Sequence, residues 1–114
     1  DLQQKAKEKG LPWEKAKAFD NSAAVGKFID IAPGFNPKTV NFSLNKNGEQ
    51  VQKGNSGSMI FTFDNIISHV SNYFSLNIGD LIFTGTPAGV GECVVGDELE
   101  GFIDDKSLLK LEIK

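Results

Sequence analysis

The stretch LIFTGTPAGVG, residues 81–91, places three apolar residues directly before a loop rich in glycine and threonine. A continuous apolar run is typical of a strand buried on both faces, so the sequence predicts a buried strand over residues 81–83 that fixes the loop. Glycines let a backbone approach a ligand closely, and the hydroxyl groups of Thr84 and Thr86 add donors. The loop is therefore a candidate oxyanion site, with a simple tight turn as the alternative.

Two well-known nucleotide-binding loops do not match this stretch. A phosphate-binding loop needs Gly-Lys-Ser/Thr followed by a helix, and neither follows Gly91. The spacing of Gly85, Gly89 and Gly91 does not fit the dinucleotide pattern G-x-G-x-x-G, and no βαβ unit surrounds it. A carboxylate ligand is the more specific hypothesis for this loop, and a simple tight turn stays the alternative.

Composition limits the class of protein further. The chain has 114 residues and a formal net charge of −3, which predicts one domain with one core and no basic surface for nucleic acid. The sequence contains no apolar run of membrane-spanning length and no signal peptide. The single Cys93 cannot form an internal disulfide. We expect a cytoplasmic protein without a membrane partner.

Local patterns predict a hairpin and one internal helix. Residues 40–45 alternate apolar and polar side chains, and Asn47-Gly48 supplies the two left-handed residues of a type I′ turn. Asp64 is the expected N-cap of the helix. An apolar stripe at helical spacing follows it, formed by Ile66, Ile67, Val70 and Phe74.

The two ends of the chain also carry signals. Residues 1–9 are good helix formers that stop at Gly10, as expected for the end of a helix that begins earlier in a longer protein. Residues 96–103 and 108–113 predict a final pair of strands around a turn at residues 104–107.

Four ordered stretches resemble the fumarylacetoacetate hydrolase family. Residues 79–91 are similar to its closing signature G-D-L/I-I-x-T-G-T-P-x-G-V-G, and residues 17–20 to its K-S-F-D. Residues 47–54 are similar to N-G-E-x-x-Q-x-G and residues 58–61 to D-M-I-F. The spacing resembles the C-terminal half of the acylpyruvase and oxaloacetate decarboxylase branch.

The resemblance implies an α+β, mostly β fold: a mixed β-sheet roll with one internal helix. Residues 1–114 would form the C-terminal part of a catalytic domain that cleaves C–C bonds in 2,4-diketo or β-keto acids, as a hydrolase or as a decarboxylase of the lyase class. A homodimer and a small carboxylate substrate are also implied, but the choice of keto acid is not. The alternative is a non-catalytic binding or dimerisation module with the same fold.

The resemblance also implies a cofactor and site residues. Mg²⁺ or Mn²⁺ would be held by three carboxylates upstream of this sequence, so no metal ligand is assigned within it and the isolated chain is expected to be inactive. The substrate-binding residues would be Gln3, Lys17, Gly85 and Thr86, with Lys17 catalytic. Ala18 and Ser58 replace the family's usual serine and aspartate.

Other candidate residues are weaker. His69 lies one and two positions from Ser68 and Ser71, and such neighbours point to different helix faces, so we expect His69 at a surface or interface. Glu98 and Glu100 share one face of a predicted strand, as an E-x-E metal pair requires. They do not align with the family's E-x-E, and paired acids on a solvated face are common, so we reject them.

Overall fold

A four-stranded antiparallel sheet is the main element of the computed structural model, which describes residues 2–114. The strands are β1 (Asn41–Lys46), β2 (Glu49–Asn55), β3 (Glu98–Ile103) and β4 (Lys106–Glu112), in the order β2-β1-β3-β4. Three helices accompany them: α1 (Leu2–Glu8), α2 (Glu14–Lys17) and α3 (Phe63–Ser71). The predicted class, α+β and mostly β with an internal helix, is confirmed. The pairing is antiparallel rather than mixed within residues 2–114.

The first hairpin has the predicted turn. Asn47 and Gly48 have φ values of 52° and 84°, so both residues are left-handed, as the type I′ prediction required. Phe42 pairs with Gly54 across the hairpin, and a Cβ on Gly54 would come within 2.6 Å of the Phe42 ring. The aromatic ring therefore occupies the space that a side chain at position 54 would need.

The end of α1 confirms the predicted glycine stop. Gly10 has a φ of 60°, and its N–H donates to the carbonyl of Lys7 at 3.4 Å. The N–H of Leu11 donates to the carbonyl of Ala6 at 2.8 Å, which completes the Schellman pair of hydrogen bonds. Asp1, the first residue of the predicted helix tail, lies outside the described residues.

The cap predicted for α3 is wrong by two residues. Thr62, not Asp64, is the N-cap, because Thr62 has extended backbone angles and its hydroxyl accepts a hydrogen bond from the N–H of Asn65 at 3.2 Å. Asp64 lies in the first turn, where its charge still suits the helix dipole. The helix ends at Ser71, so Phe74 lies beyond it and is exposed.

The expected apolar core is absent from residues 2–114. No apolar side chain there is buried, and Ile60 and Phe28 are 92% and 76% exposed. The main contacts between described elements join neighbouring strands, and α1 contacts α2 only slightly, so no described helix covers a face of the sheet. A core needs two opposed layers, and residues 2–114 supply only one. No described helix has the length and apolar character required to cross a bilayer.

The predicted buried strand at residues 81–83 is also wrong. These residues have no strand assignment, and Leu81 and Phe83 are exposed. A strand needs a neighbour that accepts and donates its backbone hydrogen bonds, and no described strand lies beside this segment.

Asp97 holds the described sheet together at one end. Asp97 is 6% exposed, and its carboxylate forms a 2.7 Å ion pair with Lys46 and accepts hydrogen bonds at 2.8 Å from the Asn47 side chain and from the Val94 N–H. These contacts join the end of β1, the hairpin turn and the segment that leads into β3. The hydrogen bond from Lys46, with those from Val94 and Asn47, lowers the pKa of Asp97 to about 2.

This lowered pKa predicts a pH-dependent stability. A carboxyl group whose folded pKa lies below its unfolded value stabilises the fold above the unfolded pKa, and that stabilisation disappears as pH falls. We expect Asp97→Asn to lower the midpoint of urea unfolding at pH 7. The difference in midpoint between this variant and wild type should disappear between about pH 4 and pH 2. Asp105→Asn, in the exposed turn between β3 and β4, is the control. A gap independent of pH would contradict the assigned role of Asp97.

Candidate carboxylate-binding site

The glycine- and threonine-rich loop is attached to the edge strand β2 by one side chain. Gln52 donates through Nε2 to the hydroxyl of Thr86 at 3.0 Å and to the carbonyl of Pro87 at 3.2 Å. The Pro87 carbonyl can only accept, so the amide nitrogen of Gln52 must face the loop. Both N–H groups of that amide are therefore used to hold the loop.

Glycine is required where the loop meets β2. Gly89 has a φ of 98°, and a Cβ there would overlap the carbonyl of Val51 and lie 3.1 Å from the side chain of Gln52. Gly85 has a φ of 102°, and among residues 2–114 no atom beyond its two chain neighbours lies within 4 Å of the position of a Cβ. Gly89 therefore allows close packing on β2, whereas Gly85 provides a left-handed backbone beside open space.

Gly85 and Thr86 line a broad depression of about 750 Å³. Thr84 and Pro87 extend the loop side, and Lys53 and Ser58 contribute from β2 and from the 3₁₀ turn at Ser56–Ser58. Among the described lining residues, Lys53 is the only one with a formal charge. Within residues 2–114, therefore, no negative charge lines the depression.

Backbone donors are available in the loop. Within residues 2–114, no hydrogen bond uses the N–H groups of Thr84, Gly85 or Thr86. The Thr86 hydroxyl is exposed, and one of its lone pairs accepts from Gln52, so its own proton remains available to a ligand. A hydroxyl and neighbouring amides are suitable donors for a carboxylate.

The structure places the four predicted site residues in two groups. Gly85 and Thr86 lie together in the depression. Gln3 is half-buried on α1, and Lys17 is the exposed last residue of α2, which packs against α1. Among residues 2–114, no hydrogen bond or ion pair joins Lys17 to Thr86, and Lys17 does not line the depression.

The rejected candidates can be placed as well. His69 is exposed on α3 and contacts the ring of Tyr73 at a centroid distance of 5.3 Å, while the Ser71 hydroxyl donates to the carbonyl of Ser68. Glu100 accepts a 2.6 Å hydrogen bond from Ser107 and lies opposite Lys110 in the sheet.

The described residues do not form a metal site. Within residues 2–114, no group of three or more His, Cys, Asp or Glu side chains is arranged to hold an ion. A divalent cation needs several converging oxygen ligands, so residues 2–114 do not fit one by themselves.

Comparison with known proteins establishes the family. Residues 1–114 match the family model described as fumarylacetoacetate (FAA) hydrolase C-terminal. The chain is 46% identical over 109 residues to oxaloacetate tautomerase YcgM of Escherichia coli (strain K12), covering 95% of this chain and 50% of that protein. It is 42% identical over 114 residues to the mitochondrial oxaloacetate tautomerase FAHD1 of Mus musculus, covering 100% of this chain and 52% of that protein.

A solved structure agrees with these matches. Fumarylpyruvate hydrolase from Pseudomonas aeruginosa, in complex with Mn²⁺ and pyruvate, has a TM-score of 0.88 and 37% identity, covering 99% of this chain and 48% of that one. The chain therefore belongs to the fumarylacetoacetate hydrolase family. It spans about half the length of the curated relatives that it matches.

Sequence reasoning missed the roles of Gln52 and Lys53. In the sequence, Gln52 is recognised only as the glutamine of N-G-E-x-x-Q. Nothing in that motif indicates a partner more than 30 positions away along the chain. Gln52 lies 34 positions from Thr86. Lys53 follows it and looks like an ordinary exposed lysine of a hairpin.

Packing of the loop on β2 can be tested at Gly89. We expect Gly89→Ala to destabilise the protein by about 1–3 kcal/mol, because alanine is strained at this φ and its Cβ overlaps the Val51 carbonyl. Urea denaturation measures the loss. Gly91→Ala is the control, since a Cβ there meets no atom within 4 Å. Equal stabilities for the two variants would show that the loop does not pack on β2 in this way.

Proposed function

We propose that the chain is the C-terminal part of the catalytic domain of an enzyme that acts on small 2-oxo carboxylic acids, with oxaloacetate as the first candidate substrate. The observation that carries the proposal is the Thr86 hydroxyl, held by Gln52 with its proton available, beside unused backbone N–H groups in a depression lined by Lys53. The names of the two tautomerase relatives support oxaloacetate.

The reaction is proposed as interconversion of the keto and enol forms of oxaloacetate, in line with those names. Cleavage of a C–C bond in an acylpyruvate or in oxaloacetate is the second candidate, supported by the likeness to fumarylpyruvate hydrolase. Both reactions place negative charge on an oxygen beside a carboxylate, so both need donors that hold an anion. Mn²⁺ in that hydrolase supports a divalent metal, Mg²⁺ or Mn²⁺, which would polarise the oxo group with ligands from outside residues 2–114.

The residues of this chain are assigned complementary roles. The Thr86 hydroxyl and the Gly85 N–H donate to the substrate carboxylate and orient it. The ammonium group of Lys17, which the resemblance to K-S-F-D assigns to the site, stabilises the negative charge that develops on the oxo group. Gln3, on the neighbouring helix, adds a further substrate contact.

The binding role of Thr86 can be tested with oxalate, which resembles the carboxylate end of a 2-oxo acid. In the complete protein with Mn²⁺, we expect Thr86→Val to weaken oxalate binding by about 1.5–3 kcal/mol, because a hydrogen bond to a charged group is lost. Calorimetry measures the affinity, and thermal melting shows whether the fold is retained. An early melt with normal oxalate affinity would mean that the loop is only a structural turn.

The catalytic role of Lys17 needs a kinetic test. We expect Lys17→Met to lower kcat/KM for oxaloacetate tautomerisation by about 10² or more in the complete enzyme, with little change in melting temperature. Lys15→Met is the matched control, because Lys15 is exposed on the same short helix α2. Near-normal kinetics for Lys17→Met would remove Lys17 from the site.

A further inference from the structure

Gln52 determines which way the Thr86 hydroxyl can donate. The amide nitrogen of Gln52 donates to Thr86 Oγ1, so the hydroxyl is an acceptor toward β2. The second N–H of the same amide donates to the Pro87 carbonyl, which prevents the amide from turning its oxygen toward Thr86 without losing both hydrogen bonds. The hydroxyl proton is therefore directed away from Gln52.

This arrangement matters because a hydroxyl group can either donate or accept. A free threonine would offer lone pairs as readily as a proton, and lone pairs facing a carboxylate are repulsive. With Gln52 as donor on one side, Thr86 faces the depression as a donor. Lys53 is the one formally charged residue among the described lining residues, so no negative charge opposes a carboxylate there.

We infer that Gln52 is a positioning residue that sets the hydrogen-bond polarity of Thr86 and thereby the preference of the site for a carboxylate over a neutral amide. The inference rests on the proposed function, since it takes Thr86 to contact the ligand. It assigns Gln52 no contact with the substrate. Its role is exerted through the two hydrogen bonds to the loop.

Gln52→Glu is the sharpest test, because it keeps the size of the side chain and replaces the donor with an acceptor. The introduced carboxylate would accept a hydrogen bond from the Thr86 hydroxyl. The lone pairs of that hydroxyl would then face the depression. In the complete protein with Mn²⁺ at pH 8, we expect oxalate to bind roughly tenfold or more weakly. Oxamate can turn its amide N–H toward the lone pairs of Thr86, so its affinity should fall much less than that of oxalate. The ratio of oxalate to oxamate affinity therefore falls.

Two controls separate polarity from other effects. Gln50→Glu makes the same chemical change on the exposed part of β2, two residues away, and should leave the affinity ratio at the wild-type value. Gln52→Met removes both donors without adding an acceptor. We expect Gln52→Met to weaken the binding of oxalate and of oxamate by similar factors. If Gln52 had only a structural role, Gln52→Glu would also weaken the two ligands by similar factors.

The outcomes distinguish this inference from the proposed function. If wild type binds oxalate and Thr86→Val loses it, while Gln52→Glu keeps the wild-type ratio, the positioning role is wrong and the proposed function stands. If Thr86→Val binds oxalate as wild type does, the proposed binding role of the loop is wrong, and the positioning role of Gln52, which depends on it, is wrong as well. In a Thr86→Val background, adding Gln52→Glu should leave the ratio unchanged, because the hydroxyl it acts through is gone.

Discussion

The buried carboxylate of Asp97 is the interaction on which the described structure depends most. It is one of two buried side chains among residues 2–114, and it binds an ammonium group, a side-chain amide and a backbone N–H at the same time. A charge removed from water is tolerated only when it is paired and fully hydrogen-bonded, so the geometry of all three partners is constrained together. Lys46 also donates to the carbonyl of Glu92 at 2.7 Å. The hairpin turn, the start of β3 and the chain that follows the candidate loop are thus held at one point.

The candidate loop is held in a different way from the one that its sequence predicts. Residues 81–83 looked like a buried strand that would fix it from the N-terminal side. The structure instead fixes the loop laterally, through Gln52 and the close approach of Gly89 to Val51 on β2. Because β2 is an edge strand, it has groups available on its outer side that a central strand would use for pairing. A loop held by an edge strand can keep its own N–H groups unused, as a ligand site requires.

Local features were predictable from sequence, and long-range ones were not. The left-handed Asn47 and Gly48 follow from the conformational preferences of two adjacent residues, and the stop at Gly10 follows from one. The absence of an apolar core within residues 2–114 depends on which layers face each other, and no pattern within a segment reports that. The candidate site divides in the same way. The composition of the loop predicts Gly85 and Thr86 as candidates, which stay predictions, whereas the contact of Gln52 with the loop exists only after the chain folds. The places of Gln3 and Lys17 in the site remain predictions from resemblance.

The charges of the residues that line the depression bear on which class of ligand the candidate loop could bind. In the resemblance of residues 58–61 to D-M-I-F, Ser58 stands at the position of the aspartate, and Ser58 lines the same depression as Lys53 and Thr86. An aspartate there would place a negative charge beside the hydrogen-bond donors of the loop. That charge would repel the carboxylate of a ligand, by roughly 1 kcal/mol in water at a separation of about 4 Å and by more where water is excluded. With serine, the described lining has one positive charge and no negative one. Under the proposed function, a small carboxylic acid in the depression would meet no opposing charge from the described lining, and the hydrogen-bond polarity of Thr86 would favour the same class of ligand.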